Sequence, residues 1–294
     1  MELLQLQYFR TVARLEHMTR AAEELHIAQP ALSKTIARLE EAVGVPLFDR
    51  HGRQIRLNTY GKIFLEKTET ALSALEEGKR QIADMAGLEQ GSIYLATPTV
   101  NRLTGPLGAF LSLHPGVKFH LTQATAEEME ELLEAGRIDF GFTALPLSRP
   151  GLRDQAVMKE DVFIAVPPGH RLARRVRIDL SEVAGEPLIG YTKDHIYRVR
   201  DDELFRRAGM KPNYVCEVSD PAAKISLVKA GLGLSLVGAC NKSDDSPLAE
   251  LLLLGIDSPA CQSSFFLVWH DKHYLSKAAL AFRDFIVQFF DQQR

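Results

Sequence analysis

Cysteine is scarce in this 294-residue chain: Cys216, Cys240 and Cys261 are the whole set, an odd number with no C-x-x-C pair. That pattern argues against a disulfide framework or a zinc site and fits a reducing compartment. Small buried hydrophobes and a redox-sensing thiol are both open readings for them. Long apolar runs are also missing. A membrane-spanning helix needs roughly 20 apolar residues, whereas the longest candidates, such as Leu248–Ile256, have the length of a core strand. No charged-then-apolar leader precedes the first amphipathic helix, as expected of a cytoplasmic protein with no membrane partner.

Catalytic signatures are absent as well. The sequence has no G-x-S-x-G, P-loop or H-E-x-x-H. Gly231-Leu232-Gly233 lacks the third glycine of a dinucleotide loop and follows a helical pattern, so it reads as a helix cap leading into a strand. Nine histidines are scattered without metal-ligand spacing. No enzyme activity, cofactor or metal is expected. There is no global basicity either, the net charge being −3. Apolar residues make up 46% and charged residues 25%, enough for real cores in two or three domains.

Charge placement says more than the total. Lys34, Arg38, Arg50, Arg53 and Arg56 lie within one short segment whose acids are Glu40, Glu41 and Asp49, a local basic patch suited to phosphates. Around it the pattern is that of a helix-turn-helix. Leu3, Leu6, Phe9, Val12 and Ala13 form the stripe of a first helix. Thr19 reads as the N-cap of a second helix whose inner face is Ala21, Ala22 and Leu25. His26-Ile27-Ala28 is a short turn, and a third helix begins at Gln29-Pro30, with proline where its missing N–H costs nothing. Leu32, Ile36, Leu39 and Val43 hold this helix to the core, leaving Gln29, Pro30, Ser33 and Lys34 outward, with Arg38 one turn on.

N-terminal residues of a recognition helix reach base edges. Gln29 suits an adenine edge, Pro30 and Ala31 a thymine methyl, and Ser33 a base or a phosphate. Lys34 and Arg38 suit phosphates. A merely solvated Ser33, and an Arg38 paired with Glu40 or Glu41, are the structural alternatives. Leu47–Arg50 and Ile55–Leu57 read as two short strands around His51-Gly52-Arg53-Gln54, a wing that brings Arg50 and Arg53 to the DNA.

Ala21-Ala22-x-x-Leu25, Gln29-Pro30-Ala31-Leu32-Ser33-Lys34, Ile36, Leu39-Glu40, Gly44, Leu47-Phe48-x-Arg50 and Leu57 closely resemble the LysR-type transcriptional regulators. Thr35 stands where that family often has Gln, and Asn58 where it usually has Thr. Asn58 caps a long, mostly polar helix from Thr59 to about Ala86, with a sparse stripe of Ile63, Ala71, Leu75, Ile82 and Met85. Such a helix wants a partner. The resemblance implies antiparallel pairing in a homodimer or homotetramer; a solvated spacer is the alternative. Gly61 and Gly78 should weaken the helix slightly.

From Gly91 onward strands and helices alternate, starting with a β-α-β-α-β run over Ser92–Ala96, Leu103–Leu113, Val117–Thr122, Glu127–Glu134 and Ile138–Thr143. This predicts a parallel sheet covered by helices. Further strands are expected at Asp161–Val166, Leu188–Tyr191, Tyr214–Val218, Gly233–Val237 and Ser263–His270, and helices at Leu180–Val183, Tyr197–Ala208, Ala222–Lys229 and Lys277–Phe290. His114-Pro115, Gly136-Arg137-Ile138-Asp139, Pro168-x-His170-x-Leu172-Ala173 and Val228-x-Ala230-Gly231-x-Gly233-Leu234 are similar to the co-inducer domain of the same family. Gly238 departs from it, since proline is common there.

The implied fold class is α/β, with an all-α-type winged helix-turn-helix N-terminal domain and a C-terminal two-lobed α/β domain like that of periplasmic binding proteins. The domains expected are 1–58, a dimerisation helix 59–87, and an effector domain 88–294. Its lobe I is about 91–161 with 268–294 and its lobe II about 162–267, joined by strands crossing near Asp161–Val166 and Phe265–His270.

Two-lobed sheets bind ligands in the cleft, at the carboxyl ends of strands. Thr97, Thr99, Val100, Thr125, Phe142 and Thr143 occupy those ends in lobe I, and Ile196, Tyr197, Arg198 and Ser219 face them from lobe II. Thr99 and Thr125 match positions that family members use for effectors, although an N-cap role suits both. Arg198 and Lys224 are candidate countercharges or solvated groups. The expected partners are therefore double-stranded DNA carrying an interrupted palindrome and a small organic anion or amino acid. A C-terminal domain that only assembles, and a solute-binding or enzymatic α/β protein, are the competing readings.

Overall fold

The computed structural model describes residues 1–51, 54–85, 91–238, 250–257 and 261–292. They form two compact units, one of residues 1–87 with 135–137 and one of the rest.

In the first unit, helices α1 (Leu3–Leu15), α2 (Met18–Glu24) and α3 (Gln29–Val43) precede a hairpin of β1 (Phe48–His51) and β2 (Gln54–Leu57), followed by the long α4 (Thr59–Met85). The strands are antiparallel, with Phe48 opposite Leu57 and His51 opposite Gln54. Phe9, Val12, Ala21, Leu32, Ile36, Leu39 and Leu47 are fully buried at the centre of the three helices. The ring of Phe9 meets Phe48 and Phe64 edge-on at 5.5 and 5.2 Å, a favoured aromatic geometry. Leu3, expected in the core stripe, is 44% exposed.

The cap of α2 is His17 rather than Thr19: the Arg20 N–H donates to His17 Nδ1, and Thr19 lies inside the helix with its side chain exposed. Asn58 caps α4 as expected, its Oδ1 accepting from the Gly61 N–H at 2.8 Å while its Nδ2 donates to the Pro46 carbonyl at 2.9 Å. Gly61 has a packing reason to be glycine, because a Cβ there would lie 2.1 Å from the Leu47 carbonyl oxygen. On α4 only Gly61, Thr68 and Leu72 are buried, whereas Ile63, Leu75, Ile82 and Met85 are 51–80% exposed.

The second unit opens with β3 (Ser92–Thr97), α5 (Thr104–Leu113), β4 (Lys118–Gln123), α6 (Ala126–Glu134) and β5 (Phe140–Thr143), the three strands being parallel. A 15-residue strand β6 (Leu152–Val166) follows, nine residues longer at its start than the sequence suggested. Its polar first half, Leu152–Glu160, alternates too loosely to read as a strand. Then come β7 (Arg177–Ile178), a single 3-10 turn (Leu180–Val183), β8 (Pro187–Tyr191), α7 (Ile196–Arg207), β9 (Asn213–Val218) and α8 (Pro221–Lys229). The chain ends with β10 (Ser235–Gly238), β11 (Leu252–Ile256), β12 (Gln262–His270) and α9 (Lys277–Asp291).

The strand order is β4-β3-β5-β12-β6-β11-β7, with β10 also on β6 and β8-β9 a separate parallel pair. β6 therefore changes partners along its length. Residues Leu152–Asp161 pair with β12, and Val162–Val166 pair with β10 and β11. This divides the unit into two lobes sharing one continuous strand. Phe110, Phe140, Phe265, Phe282 and Ile286 centre the core of the first lobe, and Val162, Ile164, Leu188, Phe205 and Leu236 that of the second. Tyr191, Ile196 and Tyr197 of the second lobe join the core of the first, so the lobes meet along the cleft.

Candidate DNA-binding face and inter-lobe cleft

Helix α3 buries Leu32, Ile36 and Leu39 completely and turns Gln29, Pro30, Ala31, Lys34 and Arg38 to solvent, with Ser33 half-buried. Pro30, Lys34 and Arg38 follow an i, i+4, i+8 spacing, which sets them one above another on a single face. Residue Ala28 caps the helix without a side-chain bond, so the N–H groups of the first turn stay unclaimed by side chains, as an anion site requires. Neither cation on this face is ion-paired among the described residues. Glu40, one alternative partner for Arg38, instead accepts from the Leu47 N–H at 2.8 Å, where it anchors the start of the hairpin. Thr35 bonds the Ala31 carbonyl within its own helix. In the wing, Arg53 and the side chain of Arg50 lie outside the described residues.

The cleft between the lobes is lined first by the carboxyl end of β3. Thr97 is fully buried and its Oγ1 donates to the Thr99 carbonyl at 2.9 Å, folding the Thr97-Pro98-Thr99 turn. That leaves the Thr99 hydroxyl, itself buried, 3.5 Å from the Tyr197 phenol across the cleft. Val100 is half-buried beside it. Phe142 stacks on Phe265 at 5.5 Å in the core, and Thr143 Oγ1 accepts from the Leu145 N–H at 3.4 Å. Thr125 forms a capping box with Glu128 at the start of α6: the Thr125 N–H donates to Glu128 Oε2, and the Glu128 N–H to Thr125 Oγ1. Of the lobe II candidates, Ile196 and Tyr197 are buried towards lobe I, while Ser219 is exposed.

Arg198 is not an available countercharge. Its guanidinium is fixed by Asp202, Glu217 and the Tyr191 carbonyl and lies 3.8 Å over the Tyr214 ring, all within lobe II.

The charged groups at the cleft are others, most of which the sequence did not single out. Arg102, just after the β3 turn, donates from Nε to Glu160 Oε1 at 3.0 Å and from Nη1 to the Tyr197 phenol at 3.1 Å. It also lies 4.5 Å over the Phe265 ring. Glu160 sits on β6 next to the change of partners. Arg200 and Asp201 on α7 pair with each other at 2.5 Å, with Asp201 only 2% exposed. The Arg200 guanidinium lies 5.2 Å over the Tyr197 ring.

Lys224 on α8, 2% exposed, donates to the Leu236 carbonyl at 2.8 Å and lies 3.9 Å over the Tyr191 ring. Burial, reinforced by Arg200 and Arg102 against the attraction of Asp201, pulls its ammonium down to about 7. His195 stacks on Tyr191 at 4.0 Å and, chiefly through burial and then the nearby Lys224, is pushed down to about 4. Burial likewise raises the Tyr191 phenol. Besides Lys224, the sequence hinted at this cluster through Gly238, whose missing side chain makes room for Glu160.

Comparisons with known proteins find matches along the whole chain. Residues 3–62 match the family model described as bacterial regulatory helix-turn-helix protein, lysR family, and residues 86–291 match the LysR substrate binding domain. The chain is 35% identical over 295 residues to the HTH-type transcriptional regulator YybE of Bacillus subtilis, covering 99% of this chain and all of the relative. It is 29% identical to the RuBisCO operon transcriptional regulator of Allochromatium vinosum, covering 97% of this chain and 95% of that one. Among solved structures, CbnR, a LysR family transcriptional regulator, superposes with a TM-score of 0.77 at 25% identity over 98% of this chain and 99% of that one. CbnR complexed with its target DNA gives the same TM-score at 26% identity and the same coverage. The helix-turn-helix with its exposed polar face on α3 and the two-lobed α/β domain thus occur in one chain, which belongs to the LysR family of DNA-binding transcriptional regulators rather than to any enzyme class.

Proposed function

We propose that this regulator works in the cytoplasm as an effector-gated homodimer or homotetramer. Residues 1–58 bind the operator, 59–87 pair copies of the chain, and 88–294 take a small organic anion or amino acid between the two lobes. The observation that carries the reading is the set of contacts across the cleft, from Thr99 and Arg102 on one lobe to Tyr197 on the other. A ligand entering there has to rearrange those contacts, and a ligand that binds two lobe arrangements unequally shifts their populations.

Supporting the DNA role are the exposed Gln29, Lys34 and Arg38, the half-buried Ser33, and the likeness to CbnR, which has been solved with its target DNA. The wing residues Arg50 and Arg53, with Pro30 and Ala31, complete the proposed contact set. Supporting assembly is the exposed apolar stripe of α4. Pairing by a two-fold axis calls for two half-sites about one helical turn or a multiple apart.

The test is a footprint of the protein on DNA upstream of its own reading frame, repeated with a panel of metabolites. Two-fold symmetric protection that changes with one metabolite is expected. Protection indifferent to every metabolite would leave assembly as the sole role of the second domain. Loss of the metabolite response in Thr99→Val, with operator binding intact, would place the effector in this cleft.

A further inference from the structure

Lys224 is a buried lysine with few places to put its hydrogens. Its Nζ lies 3.9 Å over the Tyr191 ring, inside the second lobe. Beyond that ring face, the acceptor that meets it among the described residues is the Leu236 carbonyl at 2.8 Å, an oxygen that the Ser235 hydroxyl also bonds. An ammonium has three hydrogens to place, and a buried, under-bonded cation is costly. A neutral amine, which keeps a lone pair, suits the place better.

Donors are left over around it. Arg200, at least nine-tenths buried, bonds Asp201 through Nε and Nη2, and its Nη1 is buried without a partner among the described residues. His195 Nδ1 accepts from the Tyr197 N–H at 3.3 Å, so the neutral ring carries its proton on Nε2, and that atom is buried without a partner too. Both residues belong to the start of α7. His195 stacks on the ring that Lys224 covers, while burial and then the Arg200 charge, against the pull of Asp201, bring the Lys224 ammonium down to about 7. Buried donors normally have acceptors. A small electrophile on the Lys224 nitrogen supplies them.

We propose that Lys224 is a carbamylation site for carbon dioxide, with the carbamate held by Arg200 Nη1. The Nζ lone pair attacks the carbon of CO2, a C–N bond forms, one C=O pair moves onto oxygen, and the nitrogen gives a proton to solvent. Nothing is oxidised or reduced. The nitrogen keeps one hydrogen for the Leu236 carbonyl, and the new carboxylate offers its oxygens to the orphan donors. A pocket that leaves the lysine 2% exposed suits a small apolar gas better than a larger carbonyl compound. The groups that face Lys224 are Arg200, Asp201 and His195 around the start of α7, Tyr191 on β8, the Leu236 carbonyl on β10, and Arg102. Asp201 opposes an anion there, and Arg200 and Arg102 favour it. The Arg200 guanidinium also lies over the Tyr197 ring, whose phenol makes the contacts across the cleft. Dissolved CO2 therefore bears on those contacts with no metabolite present, and the inference stands apart from the effector reading.

The experiment is carbon-13 NMR of the full chain in labelled bicarbonate near pH 7.5, with triethyloxonium trapping and peptide mass spectrometry of the same sample. At that pH roughly one surface lysine in a thousand is unprotonated, whereas most of Lys224 is. A carbamate resonance is expected, with the trapped group on the peptide that holds Lys224. Lys224→Met should lose that resonance and keep any signal from the amino terminus. Arg200→Met should lower the carbamate fraction at fixed CO2 by about tenfold or more, the worth of a hydrogen bond to a charged group. Trapping on the unaltered protein decides the matter even where a variant fails to fold. No carbamate beyond the amino terminus, trapping on other lysines with Lys224 unmodified, or an unchanged fraction in Arg200→Met would each overturn the inference. None of these results touches the effector reading, whose test is the footprint with metabolites.

Discussion

A β-carbon on Gly238 would lie 2.0 Å from Oε1 of Glu160 and 2.7 Å from Nη2 of Arg102. The glycine and the ion pair are thus parts of one arrangement. Any larger residue at 238 must displace a buried carboxylate from its guanidinium. Gly238→Ala should lower stability by about 1–3 kcal/mol, as overpacking does. Urea melts would measure it. Combined with Glu160→Ala it should cost little more than Glu160→Ala alone, because neighbours that share a clash are not additive.

Lys224 makes stability depend on pH with a defined sign. Burial holds its folded-state pKa at about 7, below the ordinary lysine value of 10.5. The folded protein therefore binds fewer protons than the unfolded chain between those values, and stability rises with pH across that window and is flat below it. Relative to Lys224→Met, the unaltered protein should gain about 2 kcal/mol from pH 7 to pH 9. Urea unfolding of both proteins at each pH checks this, and a constant difference would refute it.

The exposed face of α3 separates two kinds of contact. Arg38→Ala or Lys34→Ala should weaken operator binding at every sequence and reduce the slope of log affinity against log salt by about 1. Gln29→Ala should leave that slope unchanged and cost about 1–3 kcal/mol of discrimination at one base pair. Fluorescence anisotropy at several salt concentrations reads both, and thermal stability should stay level, since these side chains are outside the core.

Two glycines of α4 should respond with opposite signs. At Gly78 an added Cβ meets nothing within 4 Å, so Gly78→Ala should stabilise by up to about 1 kcal/mol through helix propensity. At Gly61 the same methyl would lie 2.1 Å from the Leu47 carbonyl. Gly61→Ala should therefore destabilise by about 1–3 kcal/mol, as overpacking does. Thermal melts of the two variants decide it.

The helix-turn-helix was readable because it is built from local signals: apolar spacing, Pro30 at a helix start, a short polar turn. The missed cap at His17 marks the limit of that reading, since threonine is the commoner cap and the choice was settled by where the chain leaves α1. The parallel β3-β4-β5 core was readable for the same local reasons. Arg102, Glu160 and Arg200 were not, because what unites them is a change of sheet partner in the middle of β6, and nothing in the spacing of residues so far apart announces it. Arg198 misled for the converse reason. It sits at the right helix start, but the partners that occupy it, Glu217 and the Tyr191 carbonyl, come from strands the sequence does not align with it.

The uninterrupted course of β6 through both lobes has a mechanical consequence. A strand hydrogen-bonded to one set of partners up to Asp161 and to another from Val162 cannot act as a loose hinge. If an effector turns one lobe against the other as proposed, that turn would be taken up as torsion over this step, with Glu160 beside it, and the Arg102–Glu160 pair would lie on its axis.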